Sequence, residues 1–135
     1  MAKSVAGKSK SKTVPGNGAT AENILEVPWY PPPGHFNGAL SKRLVSPAHN
    51  GSKNLAYVIS CYAPGAFVKP HAHKVREQVY HVIEGEGIME IAGKKQIARK
   101  HDVFFFPPGV EHAIYNEGTE NLVFIVASSP PDEEK

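Results

Sequence analysis

The sequence has very little cysteine, no long apolar run and no surplus of positive charge beyond its first twenty residues. Its single cysteine, Cys61, excludes an intrachain disulfide framework. Its position in the apolar stretch YVISCY indicates a buried, inert thiol. No segment approaches the roughly 20 apolar residues of a membrane span, and the N-terminus has no signal-peptide run. We therefore predict a cytoplasmic protein without a membrane partner.

The formal net charge of +2 comes from the N-terminal part of the chain. Lys3, Lys8, Lys10 and Lys12 all lie in the first twenty residues, which contain no acidic residue. The rest of the chain has 11 basic against 13 acidic residues, so the folded part has no basic face and no nucleic-acid partner is expected. The Lys/Ser/Gly-rich composition of residues 1–20 predicts a disordered basic tail.

The hydrophobic pattern predicts an all-β fold in one domain, because short apolar segments alternate with turn residues and no segment has a helical period. Turns are expected at Asn50-Gly51 and at Ala92-Gly93-Lys94, where glycine accepts a positive φ. The sequence has no glycine-rich phosphate loop, no nucleophile elbow and no paired-cysteine zinc pattern. Enzyme classes that depend on those motifs are therefore excluded.

Residues 21–40 form a segment rich in proline and aromatic residues, which predicts an extended arm rather than a helix. Trp29, Tyr30 and Phe36 supply apolar surface for docking this arm. Two alternatives stay open: the arm crosses to a partner subunit, or it covers the open end of the chain's own barrel. His35, within the arm, is interpreted as structural or solvated.

Three histidines and an oxygen donor have the spacing of a metal site. His71 and His73 are one residue apart, so in an extended strand their side chains point to the same side. Glu77 and Gln78 follow as adjacent candidate oxygen ligands, and His112 comes shortly after a tight PPG turn. Burying three unpaired imidazoles would be costly without a shared partner. Three imidazoles and one oxygen suit a divalent transition metal such as Fe, Mn, Ni, Cu or Zn.

Over roughly residues 40–128 the chain resembles the cupin superfamily. Eight positions agree with the two motifs of that family in type and spacing, namely Gly65, His71, His73, Gly85, Pro107, Gly109, His112 and Asn116. The resemblance implies a double-stranded β-helix, or jelly-roll, barrel over 41–129, with the metal site near one mouth. Residues 130–135 are an acidic end, and a homodimer is an expectation from the family.

The fourth ligand has two candidates. Counting forward from His73 gives Glu77, and counting back from Gly85 gives Gln78; adjacent strand residues cannot both face the metal. We favour Gln78, which would put Tyr80 on the same inward face. Because metal-binding imidazoles must be neutral, we expect the metal to be lost as the pH falls toward about 5.

The cavity is expected to be aromatic-lined with few fixed charges. The strand parity directs either Phe105 or its two phenylalanine neighbours inward, and Ile114 shares a face with His112. The positions of several other side chains in the sequence predict their roles. Phe124 is a candidate for the wall, Arg76 and Lys69 are interpreted as solvated rim residues, and the remaining histidines are expected to be satisfied or solvated, namely His49, His81 and His101.

The resemblance to cupin dioxygenases implies a dioxygenase-type metalloenzyme acting on a compact substrate that bears a carbonyl or carboxylate group. An oxygen-independent isomerase or lyase is the first alternative, in which a side chain moves protons next to the metal, and Tyr80 is the candidate for that role. The second alternative is a binding module without catalysis. The substrate is in each case a small molecule.

Overall fold

The computed structural model describes residues 12–132, and two five-stranded antiparallel sheets make up most of it. Across the first sheet the strands are β10 (Val103–Phe106), β7 (Glu77–Glu84), β12 (Leu122–Ser129), β5 (Ala56–Tyr62) and β4 (Ala39–Val45). Across the second they are β3 (His35–Phe36), β6 (Phe67–Val68), β11 (His112–Tyr115), β8 (Glu86–Ile91) and β9 (Lys94–Arg99).

Four short elements lie outside these sheets. Strands β1 (Lys12–Thr13) and β2 (Thr20–Ala21) pair with each other as a small hairpin. A single 3₁₀ turn spans Ile24–Glu26, and the one-turn helix α1 spans Pro47–Asn50. Ser46 caps the N-terminus of α1, and Gly51 ends it in the left-handed conformation.

Strict alternation of apolar side chains builds the core. In β7 the buried positions are Gln78, Tyr80 and Val82, and the residues between them are more exposed. β12 alternates in the same way along its whole length. Because a strand directs successive side chains to opposite faces, the inner faces of both sheets meet in one core. Its largest fully buried apolar residues are Tyr62, Phe106, Phe124, Met89, Ile114 and Leu122.

The predicted all-β jelly-roll fold is confirmed. Two local features differ from the prediction. The tail predicted over residues 1–20 lies outside the described residues up to residue 11, and its remainder carries the β1–β2 hairpin. The expected Asn50-Gly51 turn has Gly51 at a positive φ, but it closes the short helix α1. None of the described helices has the length or the apolar run that crossing a lipid bilayer requires.

The proline-rich arm is held against its own barrel at Tyr30. The backbone of Tyr30 exchanges two hydrogen bonds of 2.9 Å with Ser41 in β4, and the Tyr30 side chain is buried. Trp29 and Phe36 keep 41% and 38% of their surface exposed, respectively. The contacts of Tyr30 therefore favour the alternative in which the arm covers its own barrel.

Candidate metal centre

The three predicted histidines converge between the two sheets. His71 lies just after β6, and its backbone pairs with that of His112 at the start of β11 through hydrogen bonds of 3.0 and 2.9 Å. The carbonyl of His73 accepts a hydrogen bond of 2.7 Å from the Gly109 amide, which ties this loop to the PPG turn. One ring nitrogen from each of the three lies within 4.8 Å of the others.

Main-chain carbonyls orient two of these rings. Nδ1 of His71 lies 2.7 Å from the carbonyl oxygen of Lys69, and Nδ1 of His112 lies 2.9 Å from that of Val110. A neutral imidazole carries one N–H, so Nδ1 donates to the carbonyl and Nε2 keeps its lone pair. This is the tautomer in which Nε2 binds a metal.

Gln78 and Glu77 point in opposite directions, as the parity argument requires. Gln78 is 6% exposed and faces the histidines, whereas Glu77 is exposed to solvent. The side chain of Gln78 donates a hydrogen bond of 3.1 Å from Nε2 to Oγ of Ser128 in β12. Its Oε1 is thereby turned toward His112 and lies 3.0 Å from Nε2 of that ring.

These donors fit a first-row divalent metal. Because Nδ1 of His112 donates to Val110, Nε2 of His112 and Oε1 of Gln78 are two acceptor atoms that face each other. A cation bound by both would satisfy them. Neighbouring ligands of one such ion are about 3 to 4 Å apart when each bond is about 2.1 Å, and the 3.0 Å between Nε2 of His112 and Oε1 of Gln78 agrees with this range. His71, His73, Gln78 and His112 would hold it.

Burial keeps His112 neutral. Burial is the largest cause, and together with the nearby His71 and His73 it lowers the pKa of His112 to about 4 against the opposing effect of the Val110 carbonyl. At neutral pH this ring is therefore uncharged, and a metal does not have to displace a proton from it. Loss of the metal near pH 5 stays a prediction.

Aromatic rings enclose the inner side of this cluster. The ring of Phe106 stacks on that of His112, with centroids 4.1 Å apart and planes at 5°. The ring of Tyr80 lies 5.5 Å from that of His112, edge to face, and stacks on Phe124 on its other side. Burial raises the pKa of Tyr80, so its hydroxyl stays protonated at neutral pH.

A family profile described as the cupin domain matches residues 58–128, which is more than half of the chain and includes all four candidate ligands. The chain belongs to the cupin family. The fold and the resemblance identified from the two histidine motifs are thereby confirmed.

Known relatives of this cupin cover several chemistries. An oxalate-binding protein of Thermotoga maritima is 34% identical over 62 residues, which are 46% of this chain and 51% of that protein. The crystal structure of a predicted oxalate decarboxylase from T. maritima aligns with a TM-score of 0.73 and 23% identity over 82% of this chain and 98% of that one. The polyketide cyclase RemF of Streptomyces resistomycificus aligns with a TM-score of 0.73 and 18% identity over 86% and 84%. The two structural likenesses establish the fold, and the chain spans about half the length of the curated relatives it matches.

The cavity beside the histidines differs from the predicted one. It has a volume of about 510 Å³, and neither Phe106 nor Phe124 lines it, because both pack into the core. Ile114 is likewise fully buried and absent from the wall. Tyr30 and Tyr80 supply aromatic rings to the wall in place of the expected phenylalanines, and the expectation of few charges was wrong. Its wall carries three cations, Arg43, Lys69 and Arg76, and one described acid, Asp132.

Sequence reasoning missed three groups that line this cavity. His35 faces it from the arm, with Nδ1 2.9 Å from the carbonyl of Pro33. Ser128 orients Gln78, and Arg43 faces the cavity from β4. Strand parity would have directed Ser128 inward together with Phe124, whereas nothing in the sequence connects His35 with the motifs. Arg76, expected at a solvated rim, donates a hydrogen bond of 2.6 Å from Nη2 to the carbonyl of Pro131.

The remaining predicted polar residues lie away from the centre. His49 is buried in α1, and its Nε2 lies 2.5 Å from Oε2 of Glu22, so it is satisfied as expected. His101 is exposed, and His81 faces outward from β7. Cys61 is half-buried on β5, and burial raises the pKa of its thiol, which agrees with the inert reading.

Replacing Gln78 separates the two candidate oxygen ligands. Gln78→Ala should weaken Zn²⁺ or Mn²⁺ binding at least about 10-fold, because it removes the buried donor that faces His112. Glu77→Ala, its neighbour on the opposite face, should change the affinity less than about twofold. Titration of both metal-free variants against a chelating dye measures this, and the reverse order of the two effects would reject Gln78.

Proposed function

We propose that this cupin binds a divalent transition metal through His71, His73, His112 and Gln78 and uses it to hold a compact small molecule in the adjoining cavity. One observation carries the proposal: three ring nitrogens lie within 4.8 Å of one another, and the Oε1 of buried Gln78 lies 3.0 Å from the nitrogen of His112. Carbonyls fix the rings of His71 and His112 in the ligating tautomer. The ion would be drawn from Fe, Mn, Ni, Cu and Zn.

The bound molecule should carry a carbonyl or carboxylate group. When bound, the metal supplies a Lewis acid that polarises such an oxygen. None of the four proposed ligands is a carboxylate, so a divalent ion keeps its full charge and favours an anionic partner. Arg43, Lys69 and Arg76 add positive charge to the same cavity. The 34% identity with a protein named for oxalate binding supports a carboxylate ligand.

Two reaction classes are compatible with this ligand set. A dioxygenase would consume O2 while it oxidises the substrate, and it is the class implied by the resemblance to cupin dioxygenases. An isomerase or lyase would instead move protons without oxygen. The position of Tyr80 favours the second class, because a protonated phenol lines the cavity beside His112.

Tyr80 would act as a hydrogen-bond donor. Its raised pKa makes it a poor base at neutral pH but keeps the hydroxyl available to a developing negative charge on the substrate. The stacking on Phe124 and the edge contact with Phe106 hold the ring in one orientation. Phenylalanine is therefore the test substitution, because it keeps these ring contacts and removes only the hydroxyl.

The decisive experiment compares substrate conversion with and without oxygen. Protein loaded separately with Fe(II), Mn²⁺ or Zn²⁺ is incubated with diketone, catechol, thiol and short carboxylate substrates, in air and under argon. For an isomerase or lyase we expect turnover under argon and with redox-inactive Zn²⁺. Tyr80→Phe should then lower kcat about 100-fold or more with unchanged metal content, because the ring packing is kept.

Other outcomes lead to different conclusions. Turnover that needs Fe(II) and consumes O2 would establish the dioxygenase class and leave Tyr80 as a packing residue. Tight binding of a carboxylate without conversion under any condition would make this cupin a binding module. Failure of the purified protein to bind any of these metals would reject the proposal as a whole.

A homodimer in the cytoplasm is part of the proposal. Exposed Trp29 and Phe36 supply apolar surface near the arm, although Tyr30 docks on its own chain. Sedimentation of the full chain as a monomer at micromolar concentration would reject the dimer.

A further inference from the structure

The cavity continues well beyond the histidine cluster. From the metal centre it extends along the inner face of the first sheet as far as β4 and the proline-rich arm. Its volume of about 510 Å³ falls in the range of sites that enclose a whole small molecule. A ligand that only occupied two coordination positions of one metal ion would not reach the other end of the cavity, which is lined by Arg43 and Tyr30.

Arg43 is held in place at that far end. It lies on the inward face of β4, opposite Val58 of β5, and its guanidinium carbon is 4.7 Å from the ring centroid of Tyr30. Tyr30 is itself fixed by its two backbone hydrogen bonds to Ser41. The guanidinium lies over a buried ring, and this contact restricts the orientation of its donors.

Within the described part of the chain, no ion pair with an acidic side chain is recorded for this cation. A guanidinium that faces the cavity from a partly exposed position offers its N–H donors to an anionic group of a ligand. Arginine is also the side chain best suited to grip a planar carboxylate through two parallel hydrogen bonds.

The register of the first sheet gives the span between the two ends. Tyr80 pairs with Val126, Val126 with Val58, and Val58 with Arg43, so Tyr80 and Arg43 are three strand spacings apart. This corresponds to about 14 Å between their backbones, and Gln78 lies two residues further along β7 on the same inward face. Val126 and Val58 form the wall between them.

We infer that Arg43 binds a second anionic group of the ligand. The ligand is then a two-ended acid: one carbonyl or carboxylate at the histidine cluster, an apolar middle against Val58 and Val126, and a carboxylate on Arg43. The inference rests on the proposed function for the metal-bound end alone, since the anion site at Arg43 follows from the cavity itself.

A series of straight-chain dicarboxylates and matching monocarboxylates, from four to ten carbons, tests this inference by titration calorimetry on metal-loaded protein. Wild type should bind one length of dicarboxylate best and prefer it to the monocarboxylate of equal length. Arg43→Met should lower affinity for that dicarboxylate about 10- to 100-fold and leave the monocarboxylate nearly unchanged. Arg43→Lys, which keeps charge without the planar fork, should fall between them.

Arg99→Gln is the matched control, because Arg99 forms an exposed ion pair with Glu86 away from the cavity. It should bind both probes as wild type does. Thermal unfolding of each variant checks its folding, and a purely structural role of Arg43 would weaken both probes equally. Equal affinity of wild type and Arg43→Met for the dicarboxylate would overturn the inference, as would the absence of any dicarboxylate preference in wild type. Metal content is measured separately, so loss of the metal alone would count against the proposed function.

Discussion

His112→Ala should lower the affinity of the protein for Zn²⁺ or Mn²⁺ by at least about 100-fold, because it removes a neutral nitrogen donor that faces both histidines and Gln78. Wild type with metal at 100 times its dissociation constant should gain about 2.7 kcal/mol of stability, and the variant should gain almost none. Competition with a chelating dye measures the affinity. Thermal unfolding with and without added metal measures the stabilisation.

The control variant for this experiment is His81→Ala. His81 lies on β7, three residues after Gln78, but its side chain points to the outer face of the sheet. It should bind metal within about twofold of wild type, which separates a site effect from loss of any histidine. Because His112 also stacks on Phe106, His71→Ala provides a second test at a less buried ligand. Full metal affinity in both ligand variants would contradict the assignment.

Gly85→Ala should destabilise the fold by about 3 kcal/mol or more and lower Tm by about 10 °C or more. Gly85 joins β7 to β8 and has a φ of +81°, a conformation that costs an alanine about 1–2 kcal/mol. An added Cβ would also lie 2.3 Å from the carbonyl oxygen of Asn121 and 3.1 Å from Cα of Leu122. Both atoms belong to the backbone at the start of the central strand β12, which cannot move without disturbing its pairing.

Gly93→Ala isolates the contribution of backbone conformation. Gly93 also has a φ of +81°, in the hairpin between β8 and β9, but nothing lies within 4 Å of an added Cβ. Gly93→Ala should therefore lower the free energy of unfolding by about 1 to 2 kcal/mol, from the left-handed conformation alone. Circular dichroism melting curves compare the two variants. Equal losses of stability in both variants would show that the close approach of Gly85 to β12 does not contribute to the destabilisation.

Short-range patterns were sufficient for the core of the candidate site. Local geometry grouped His71 with His73, which are separated by one residue, and the spacing of the family motifs connected His112 with them. The orientation of Gln78 also followed from the two-residue period of β7, because its inward neighbour Tyr80 is a core residue. The His71–His73 pair and the orientation of Gln78 depend on residues close together in sequence, where backbone geometry constrains side-chain direction strongly.

Long-range features were beyond such reasoning. His35 and Arg43 reach the cavity from the arm and from β4, which pair with β6 and β5 at separations that no local pattern encodes. Phe106 and Phe124 pack in the core and not in the cavity wall for a related reason: parity gives the side of a sheet, but it does not distinguish the core from the cavity on that side. The β1–β2 hairpin was missed because its composition is that of a polar tail.

The ligand rings are held by peptide oxygens at positions 69 and 110, and any amino acid supplies such an oxygen. Side chains at these two positions can therefore be exchanged while the orientation of His71 and His112 is preserved. Lys69 lies at the cavity mouth, so its replacement would alter which molecules enter without altering how the imidazoles are aimed. Selectivity and ligation are thus separable by mutation, and the mouth of this barrel can be redesigned around an unchanged centre.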